Sequence, residues 1–554
     1  STTAGAGYDV MSDTPTTNWC TLNPVSLRAS YNNDCNDGNL GIEAVGGTWD
    51  RGTKGTIGAS SGKWYWEYTH GTISGSYPQA DIGVTKYVSE INHPNNGGSN
   101  SADTYVIQGN NGNKYNAGSG SSYGSSFATG DKCNIALDLD NGKVWFGKNG
   151  TWFNSGDPAA GTNEAFSGLS GTFWPLFYWG ISAGTSGINQ AFFNFGQRAF
   201  EYTPPTGFKA LNTANLAAPT VKDGSKNFNP VIYAPDGSSS FAVTGVGFQP
   251  DFVWIKSRNY AEDHQLNDAV RGATKGLQSN LTNAETTQTN GLTSFDSDGF
   301  TVGNLSDYNY NGDSIISWNW LAGGSGSSNT EGGITATVSA NPTAGFSIVS
   351  WQGSGNATDS VGHGLGVAPK LNIIKSRDSA SLNWYIYTTV IDGSHDYFFF
   401  TTGAKNNSGI AAPTSTVVNL NADIQPSGQD MIAYCFAEVE GYSKFGSYTG
   451  NGSSDGPFIH LGFKPAWLLL KRTDSTSSWF MLDTTRDTYN VSENYLIADG
   501  NIAEGTYTSV DFLSNGFKPR NSSSSFNTNG ATHVYAAFAE VPTNNLFGGQ
   551  ANAR

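Results

Sequence analysis

A short pattern of apolar and polar positions occurs three times along the chain. Each copy begins with glycine and proline, continues as a short, mainly apolar run, and ends at a lysine. Glycine and proline fix a turn, and an apolar run bounded in this way predicts a buried strand that ends at the lysine. The copies span residues 247–258, 366–377 and 462–472. Because none occurs before about residue 212, the pattern predicts a leading unit followed by three related repeats.

Each repeat is predicted to close on a strand in which apolar and polar residues alternate. The three closing strands place Trp320, Phe436 and Phe538 at equivalent positions. A Gly- and Ser-rich stretch accounts for the longer spacing between the first two copies and predicts a flexible linker. Repeats 2 and 3 have no such stretch, so we expect them to pack against each other. The predicted boundaries are 1–212 for the leading unit, 213–324 for repeat 1, 325–345 for the linker, 346–443 for repeat 2 and 444–554 for repeat 3.

Two differences between the repeats bear on function. Repeats 1 and 3 contain an Asp-x-x-Arg sequence, Asp268 with Arg271 and Asp483 with Arg486, and repeat 2 does not. Such a pair closes a loop by a local ion pair or, as the alternative, contacts a carboxylate or sugar ligand. The segments that follow residues 258, 377 and 472 also differ in sequence. They are therefore the surfaces on which the repeats are expected to differ in partner.

Hairpin signals and composition both indicate an all-β protein. In the leading unit, Asn141 and Gly142 separate two alternating strands, and both residue types tolerate the positive φ of a tight hairpin turn. The 554 residues include 70 glycines, while 13% are charged and 13% are aromatic. This composition is typical of turn-rich β domains. The predicted fold is a β-sandwich followed by three smaller, related β-sandwich units.

The charge and the hydropathy pattern exclude several classes of partner. The formal net charge is -16, and a chain this acidic repels nucleic acid and anionic lipid. No apolar run reaches the ~18 residues of a membrane-spanning helix. The first residues lack the basic and apolar regions of a signal peptide, unless one has already been removed. We therefore expect no nucleic-acid partner and no membrane insertion.

Five motifs of the leading unit stand in the order and spacing found in SPRY domains. Over residues 45–202 the chain therefore resembles the SPRY family. The resemblance implies a bent, concanavalin-like β-sandwich that binds ligands through loops at one end and is usually not an enzyme. The motifs are Gly-Lys-Trp-Tyr-Trp-Glu at 62–67, Gly-Asp at 130–131 leading to Leu-Asp-Leu-Asp-Asn-Gly at 137–142, Phe-Gly-Lys-Asn-Gly at 146–150, Trp-Pro at 174–175, and Asn-Phe-Gly-Gln-Arg-Ala-Phe at 194–200.

The rest of the chain carries a narrower resemblance. Residues 11–24 and 204–212 look like the flanks of the SPRY version carried by tailed phages, and the repeats look similar to a domain of unknown function found in marine phage structural proteins. This resemblance implies a virion surface protein, such as a tail fibre, spike or capsid decoration, made in the host cytoplasm. Its expected partners are other virion proteins and a host surface glycan, and it is expected to be a homo-oligomer, commonly a trimer. The alternatives left open are a purely architectural head or tail protein, a secreted bacterial lectin or adhesin, and a polysaccharide depolymerase.

The common catalytic motifs are missing from the sequence. It has no Gly-x-Ser-x-Gly elbow on a strand-to-helix turn and no Gly-rich loop that leads to Lys-Ser/Thr. Asp138, Asp140 and Glu67 could supply paired carboxylates of the kind that glycosidases use. All three lie on or beside strands of the SPRY-like block, which favours structural roles. We therefore expect a protein that is not an enzyme.

Exposed aromatic and amide side chains are the best candidates for ligand binding. Tyr77, Trp152, Asn154 and Tyr178 lie in or beside predicted loops of the leading unit. Aromatic rings stack on sugars, and amides supply planar hydrogen bonds. For each of the four, the alternative is a place in the core of this aromatic-rich chain. They are the predicted glycan-binding residues.

The sequence predicts no cofactor and no metal site. Residues 33–38, Asn-Asp-Cys-Asn-Asp-Gly, offer oxygen ligands for a structural calcium ion but lack the distal glutamate of a helical calcium loop. Cys133 and Cys435 lie in apolar strand patterns and are expected to be buried. Cys20 and Cys35 form either a disulfide or two separate thiols.

Overall fold

The computed structural model describes two compact domains, both built almost entirely from β-strands. The N-terminal domain extends to residue 216 and the C-terminal domain covers residues 220–539. This confirms the predicted all-β class. Within this part of the chain, no helix is long or apolar enough to cross a membrane. The residues described are 18–24, 33–45, 51–72, 79–86, 102–180, 188–216 and 220–539.

Two mainly antiparallel sheets form the N-terminal domain, and their apolar faces share one core. In that core the Tyr68 ring of one sheet stacks on the Phe177 ring of the other, with centroids 5.4 Å apart. The first sheet has the order β1-β2-β14-β4-β9-β10-β11, with β12 and β15 beside it, and the second has the order β3-β13-β5-β6-β7-β8. The strands are β1 (Asn33–Asn36), β2 (Gly41–Val45), β3 (Arg51–Lys54), β4 (Lys63–His70), β5 (Gln79–Thr85), β6 (Thr104–Gln108), β7 (Asn113–Asn116), β8 (Ser119–Ser122), β9 (Lys132–Asp138), β10 (Lys143–Lys148), β11 (Thr151–Trp152), β12 (Phe166–Ser167), β13 (Trp174–Gly180), β14 (Ile188–Asn194) and β15 (Lys209–Ala210).

The predicted hairpin joins β9 to β10. Asp138 pairs with Lys143 across it, and Gly142 has a φ of 63°. The carboxylate of Asp138 is fully buried and accepts hydrogen bonds from the backbone and side-chain amides of Asn141, at 3.0 and 2.9 Å. Burial raises the pKa of Asp138, but the bonds from Asn141 and the ion pair with Lys63 outweigh burial and hold the pKa below its usual value. Asp138 therefore stabilises the turn.

The C-terminal domain repeats one four-strand sheet three times. The strand orders are β16-β24-β18-β19 in repeat 1, β27-β34-β29-β30 in repeat 2 and β35-β42-β37-β38 in repeat 3. In each sheet the predicted closing strand lies between the opening strand and the strand of the tripled sequence pattern. These strands are β16 (Phe228–Tyr233), β18 (Phe252–Ser257), β19 (Gln265–Asp268), β24 (Ile315–Trp320), β27 (Phe346–Gln352), β29 (Leu371–Ser376), β30 (Tyr385–Thr388), β34 (Asp430–Phe436), β35 (Ser443–Thr449), β37 (Pro465–Arg472), β38 (Phe480–Asp483) and β42 (Thr532–Ala539).

The other strands extend these sheets or pack across them, and they complete each repeat. A four-residue helix, α1 (Ser306–Asn309), occurs in repeat 1, and a 3-10 turn at Gly224–Lys226 begins the domain. Strand β42 ends beside that turn: a Cβ on Gly224 would lie 3.2 Å from the carbonyl oxygen of Ala539. The remaining strands are β17 (Phe241–Thr244), β20 (Lys275–Gly276), β21 (Thr286–Thr287), β22 (Leu292–Asp296), β23 (Gly299–Val302), β25 (Ser327–Asn329), β26 (Ala336–Asn341), β28 (Asp359–Gly362), β31 (Asp396–Phe399), β32 (Asn406–Asn407), β33 (Val417–Leu420), β36 (Ile459–His460), β39 (Ser492–Ile497), β40 (Gly505–Leu513) and β41 (Gly516–Pro519).

The prediction of a flexible linker at residues 325–345 is wrong. This stretch contains β25 and β26, which extend the sheet of repeat 2 in the order β25-β26-β27. Ala336 and Val338 are buried in the core of that repeat. Small and hydroxylated residues surround them, so the composition is that of a linker while the alternation is that of a strand.

The three repeats share one core. Trp320, Phe436 and Phe538, the residues predicted to be equivalent, meet at its centre. Their ring centroids lie 6.1 Å apart for Trp320 and Phe436, 5.9 Å for Trp320 and Phe538, and 5.9 Å for Phe436 and Phe538. This nearly equilateral triangle marks an approximate threefold axis, so the repeats form a single ring-shaped domain.

An equivalent hydrogen bond closes the ring at each of its three interfaces. The indole of Trp384 in repeat 2 donates to the Gln278 carbonyl of repeat 1 at 2.8 Å, across the first interface. Across the second interface, an imidazole nitrogen of His264 in repeat 1 lies 2.9 Å from the Ile497 carbonyl oxygen of repeat 3. Across the third, the indole of Trp479 in repeat 3 donates to the Phe399 carbonyl of repeat 2 at 2.8 Å. Each repeat therefore contacts both others.

Buried ion pairs reinforce the first interface. The predicted local pair between Arg271 and Asp268 forms, with both side chains fully buried. Arg271 also lies 3.2 Å from Glu285, which in turn binds Arg377 of repeat 2 at 2.8 and 2.9 Å. The hydroxyl of Tyr434, also from repeat 2, donates to Asp268 at 2.8 Å. The Asp-x-x-Arg pair is thus the buried end of a network between two repeats.

The second interface contains the same network in equivalent residues. Arg486 binds Asp483 at 2.7 Å and lies 3.1 Å from Glu504. Glu504 binds Arg258 of repeat 1 at 2.7 and 3.0 Å. The indole of Trp318 from repeat 1 donates to Asp483 at 3.1 Å, in the role that Tyr434 has at the first interface.

At the third interface the network is replaced residue by residue. Thr388 stands at the position of the two aspartates and Ala536 at the position of the aromatic partner. Lys405 replaces the glutamate. Its backbone amide donates to the Thr473 carbonyl at 2.8 Å, as the backbone amide of Glu285 donates to the Arg377 carbonyl. Its ammonium group, however, pairs with aspartates of its own repeat. A small apolar cavity of about 20 Å³ remains between Thr388, Ala536 and Trp479.

Three equivalent lysines, predicted to end their strands, each lie one residue before the end of a strand and are fully buried. The ammonium group of Lys256 donates to the Ser257 and Tyr260 carbonyls at 2.8 and 3.1 Å, and that of Lys375 donates to the Ser379 and Leu382 carbonyls, both at 2.9 Å. Lys471 reaches a carbonyl of repeat 2 at 3.3 Å. Burial lowers the pKa of each lysine to about 8. Each lysine places its apolar stem in the core and fixes a loop with its charged end.

Acid is expected to destabilise the ring through His264. Its Nδ1 accepts from the Trp254 indole at 2.9 Å, so the ring must stay neutral, and burial lowers its pKa to about 3. In the unfolded chain the pKa returns to about 6.5, so stability falls as pH drops below 6.5, by on the order of 2 kcal/mol at pH 5. Urea titrations at pH 7 and pH 5, with hydrogen-exchange pulses that report on repeat 1, measure the loss. In His264→Gln the loss should shrink by that amount, and an unchanged loss would contradict this role.

Candidate recognition surface

The four predicted ligand residues have different outcomes in the structure. The prediction that Tyr178 is a surface residue is wrong. Tyr178 is 1% exposed, because β13 lies in the interior of the second sheet and continues through Tyr178 to Gly180. Tyr77 lies outside the described residues. Trp152 and Asn154 remain, and they lie on one loop, residues 149–163, which we name the recognition loop.

The recognition loop presents an aromatic ring and an amide. Trp152 ends the short strand β11 at the edge of the first sheet and is half-buried, with its indole edge-on to the Tyr65 ring at 6.4 Å. Asn154 is exposed, in the 3-10 turn Phe153–Ser155 that follows. A ring held on one side and open on the other, beside an exposed amide, suits a ligand with a flat apolar face and adjacent hydroxyl groups.

The backbone of the recognition loop is held in an uncommon conformation. Asn149, Asn154, Ser155 and Asn163 have φ values of 50°, 55°, 53° and 53°, in the left-handed region. Asparagine tolerates this region better than other non-glycine residues, which explains three of the four positions. The Asn163 side chain donates to the Ser155 carbonyl at 3.0 Å, across the loop. Such backbone conformations persist where the surrounding contacts enforce them, and they cluster at binding sites.

Charged side chains anchor the base of the loop. The Asn149 side chain donates to Asp131 at 2.8 Å and accepts from the Lys132 amide at 2.8 Å. Burial raises the pKa of Asp131, but hydrogen bonds, first of all from Lys148, outweigh burial and lower the pKa to about 2. Asp131 therefore stays ionised at neutral pH and holds the start of the loop.

Glu67 supports the loop from the other side. Its carboxylate is buried and accepts from the backbone amides of Glu201 and Tyr202, at 3.0 and 2.9 Å. A Cβ on Gly150 would lie 2.5 Å from the Tyr202 ring, so Tyr202 packs directly on the loop. Sequence reasoning missed Tyr202, although its alternation with Phe200 after the last SPRY motif could have indicated it. Glu67 thus has the structural role predicted for it.

The other candidate residues also bind within the protein. Asp140 accepts from the Gly62 amide at 2.7 Å, and Asp37, in the segment weighed for calcium, pairs with Arg198 at 2.7 Å. Among the described residues, no group of three or more His, Cys, Asp and Glu side chains is placed to hold a metal ion. Cys20 and Cys35 form no disulfide with each other in the described part of the chain.

This geometry defines a two-domain, all-β protein: a β-sandwich with a rigid loop at its edge, followed by a ring of three repeats. Residues 63–197 match the SPRY domain family, which confirms that resemblance. Residues 223–542, more than half of the chain, match the family described as domain of unknown function DUF7483. The chain therefore belongs to the DUF7483 family, and the match spans all three repeats.

Several solved structures are similar to part of this chain. The SPRY domain of human HERC1 has 18% identity and a TM-score of 0.25, over 31% of this chain and 96% of that chain. A second human SPRY domain has 18% identity and a TM-score of 0.21, over 29% and 93%. Stonustoxin has 17% identity and a TM-score of 0.24, over 32% of this chain and 27% of that chain. No curated protein sequence matches the chain.

Proposed function

We propose that the chain is a non-enzymatic recognition protein whose recognition loop binds a glycan on a host surface. The observation that carries this proposal is the fixed backbone of the loop, which presents the Trp152 ring and the Asn154 amide together. A loop that is already ordered loses little conformational entropy on binding, so even a small contact area can give useful affinity. The aromatic ring would stack on a sugar face while the amide binds neighbouring hydroxyl groups.

The proposed absence of catalysis is supported by how the carboxylates are used. Glu67, Asp138 and Asp140 were the candidates for paired catalytic acids, and each accepts hydrogen bonds from backbone amides of the SPRY domain. In the ring, the buried aspartate and arginine of repeats 1 and 3 neutralise each other at the first two interfaces. Groups held in this way stabilise the fold.

We place this protein on the virion surface of a tailed phage, as a tail fibre, spike or capsid decoration. The support is the resemblance of its flanking segments and repeats to phage structural proteins, together with its acidic composition. Mass spectrometry of purified virions tests this part of the proposal by itself. If the protein is missing from them, the setting fails and an extracellular lectin or adhesin takes its place. The homo-oligomer remains a prediction, and an approximate threefold arrangement is already present within one chain.

Replacing Trp152 by alanine is expected to weaken glycan binding by roughly tenfold or more, because a central aromatic contact typically carries at least that share of affinity. Asn154→Ala should weaken it less. Glycan arrays with the full chain identify the ligand, and titrations with that glycan compare the variants. Tyr489→Ala is the matched control, because Tyr489 is 82% exposed on the other domain.

The outcomes of these experiments separate the proposal from its alternatives. Equal binding by the Trp152 variant and the wild type would move the site away from the recognition loop. A blank array, with the protein present in virions, would indicate a purely architectural role. New reducing ends after incubation with host capsule would identify a depolymerase and refute the non-enzymatic assignment.

A further inference from the structure

Repeat 1 presents an exposed aromatic pair outside the recognition loop. The rings of Tyr260 and Tyr310 meet at 77° with centroids 5.1 Å apart, and the residues are 41% and 48% exposed. Burying such rings would be favourable by the hydrophobic effect, yet each keeps nearly half of its surface in water. Two rings at a steep angle form two walls of an open notch.

The backbone on both sides of the notch is fixed. The Tyr260 amide donates to the Ser257 side chain at 2.9 Å, and its carbonyl accepts from the buried Lys256. The Tyr310 carbonyl accepts from the Asp313 amide at 3.0 Å, and Asp313 also accepts from the Asn259 amide at 3.4 Å. The two tyrosines are therefore held in place before any ligand arrives.

The fold itself does not require a tyrosine here. Lys375 fixes the corresponding loop of repeat 2 through the carbonyl of Ser379, the equivalent of Tyr260, and repeat 3 has Ser475 at this position. Among the described residues, helix α1, which leads into Tyr310, occurs only in repeat 1. Repeat 2 thus makes the same lysine contact with serine, so the Tyr260 side chain is an addition to a shared backbone arrangement.

Acidic residues lie close in sequence to both tyrosines. Glu262 follows Tyr260 on one side, and Asp307 precedes Tyr310 on the other; both are half-buried, and their carboxyl groups share a hydrogen bond. Burial first, and Glu262 second, raise the pKa of Asp307 to about 7. Asp263 also raises the pKa of Asp307, while the buried Lys256 lowers it. The side-chain amide of Gln265 donates to the Asp307 carboxyl group at 2.8 Å.

We propose that the Tyr260–Tyr310 notch binds a lysine side chain of a partner protein. Tyrosine faces attract an ammonium ion, and the neighbouring carboxyl groups complement its charge. An open notch suits a side chain carried by a macromolecule, since small free ligands are held in clefts that enclose most of their surface. The net charge of -16 favours the approach of a basic partner.

The test measures binding of the full chain to an immobilised peptide that contains three lysines. Tyr260→Ser copies the residue of the other repeats and leaves the charge unchanged, so general electrostatic attraction stays the same. We expect about a two- to fivefold loss of affinity, the effect of one exposed cation–π contact. Tyr489→Ser, with an exposed tyrosine elsewhere, should bind like the wild type.

Further arms identify the chemistry and the source of the cation. Acetylated lysines should abolish binding. Affinity for the lysine peptide should rise by up to about tenfold from pH 6 to pH 8 as Asp307 ionises, and Asp307→Asn should remove that rise. Equal affinity of wild type and Tyr260→Ser would overturn the proposal, because charge alone would then explain binding. Equally strong binding of free glucosamine or butylamine would overturn the assignment to a partner protein.

Discussion

Replacing Trp320 by alanine is expected to destabilise all three repeats together, by about 3–5 kcal/mol. Trp320 lies within 6.5 Å, between ring centroids, of aromatic rings from repeats 2 and 3 as well as from its own. Its loss leaves a cavity at the centre of the core that the repeats share. Hydrogen-exchange mass spectrometry resolves peptides from each repeat and should show the same fall in opening free energy in all three.

The control for this prediction is Tyr489→Ala, which removes an exposed ring and should change stability by less than about 0.5 kcal/mol. Loss of protection in repeat 1 alone, with repeats 2 and 3 unchanged, would contradict a common core. It would show three units that fold independently, as the sequence pattern by itself suggests.

Arg271→Met is expected to cost about 3–5 kcal/mol, because it leaves Asp268 and Glu285 buried without their shared cation. Arg486→Met should cost a similar amount, since the second interface contains the same network. Lys405→Met, at the equivalent third interface, should cost less, about 1–3 kcal/mol, because Lys405 and its partner Asp392 are partly exposed and only Asp396 is left buried without its cation. Urea titrations of the three variants, read at peptides of the C-terminal domain, give the comparison.

A second variant separates the loss of a partner from the loss of charge. Asp268→Thr with Arg271→Ile introduces the two residues that repeat 2 has at these positions, Thr388 and Ile391. Removing both charges should cost less than removing Arg271 alone, since no aspartate is then left unpaired. A double variant less stable than Arg271→Met would show that the network itself, and not the unpaired charge, determines stability.

Local patterns predicted the elements of this protein well. The tripled glycine, proline and apolar run gives β18, β29 and β37, and the alternating segments give the closing strands β24, β34 and β42. Such features depend on neighbours along the chain, so a single sequence contains the information. The SPRY motifs located the first domain for the same reason.

Contacts between distant residues explain the failures. Ring closure depends on pairs such as Arg258 with Glu504, which are 246 residues apart. In the sequence, an arginine or glutamate that forms such a pair cannot be distinguished from one that is exposed to solvent. The segment at 325–345 has the composition of a linker because only four of its side chains, all of them small, are buried: Ala336, Val338, Ser339 and Ala344. Tyr178 looked like a loop residue because nothing in the sequence shows that β13 continues past Phe177.

Half of the proposed recognition loop could be read from the sequence. Trp152 and Asn154 were identified by residue type, but the left-handed backbone that joins them depends on Asp131 and Asn163, which bind it from outside the short turn. The Tyr260–Tyr310 notch illustrates the same limit: its two residues are 50 positions apart and meet only through helix α1 and the loop after β18.

The position of the ring's two ends has a consequence for how such a domain spreads among proteins. Because the last strand finishes beside Gly224, the ring could be inserted into a surface turn of a host protein without stretching or unfolding that host. A domain of this shape can be transferred between proteins as a whole. It can be acquired as one unit by different proteins, and each of them can add its own further domain, as this chain adds the SPRY domain.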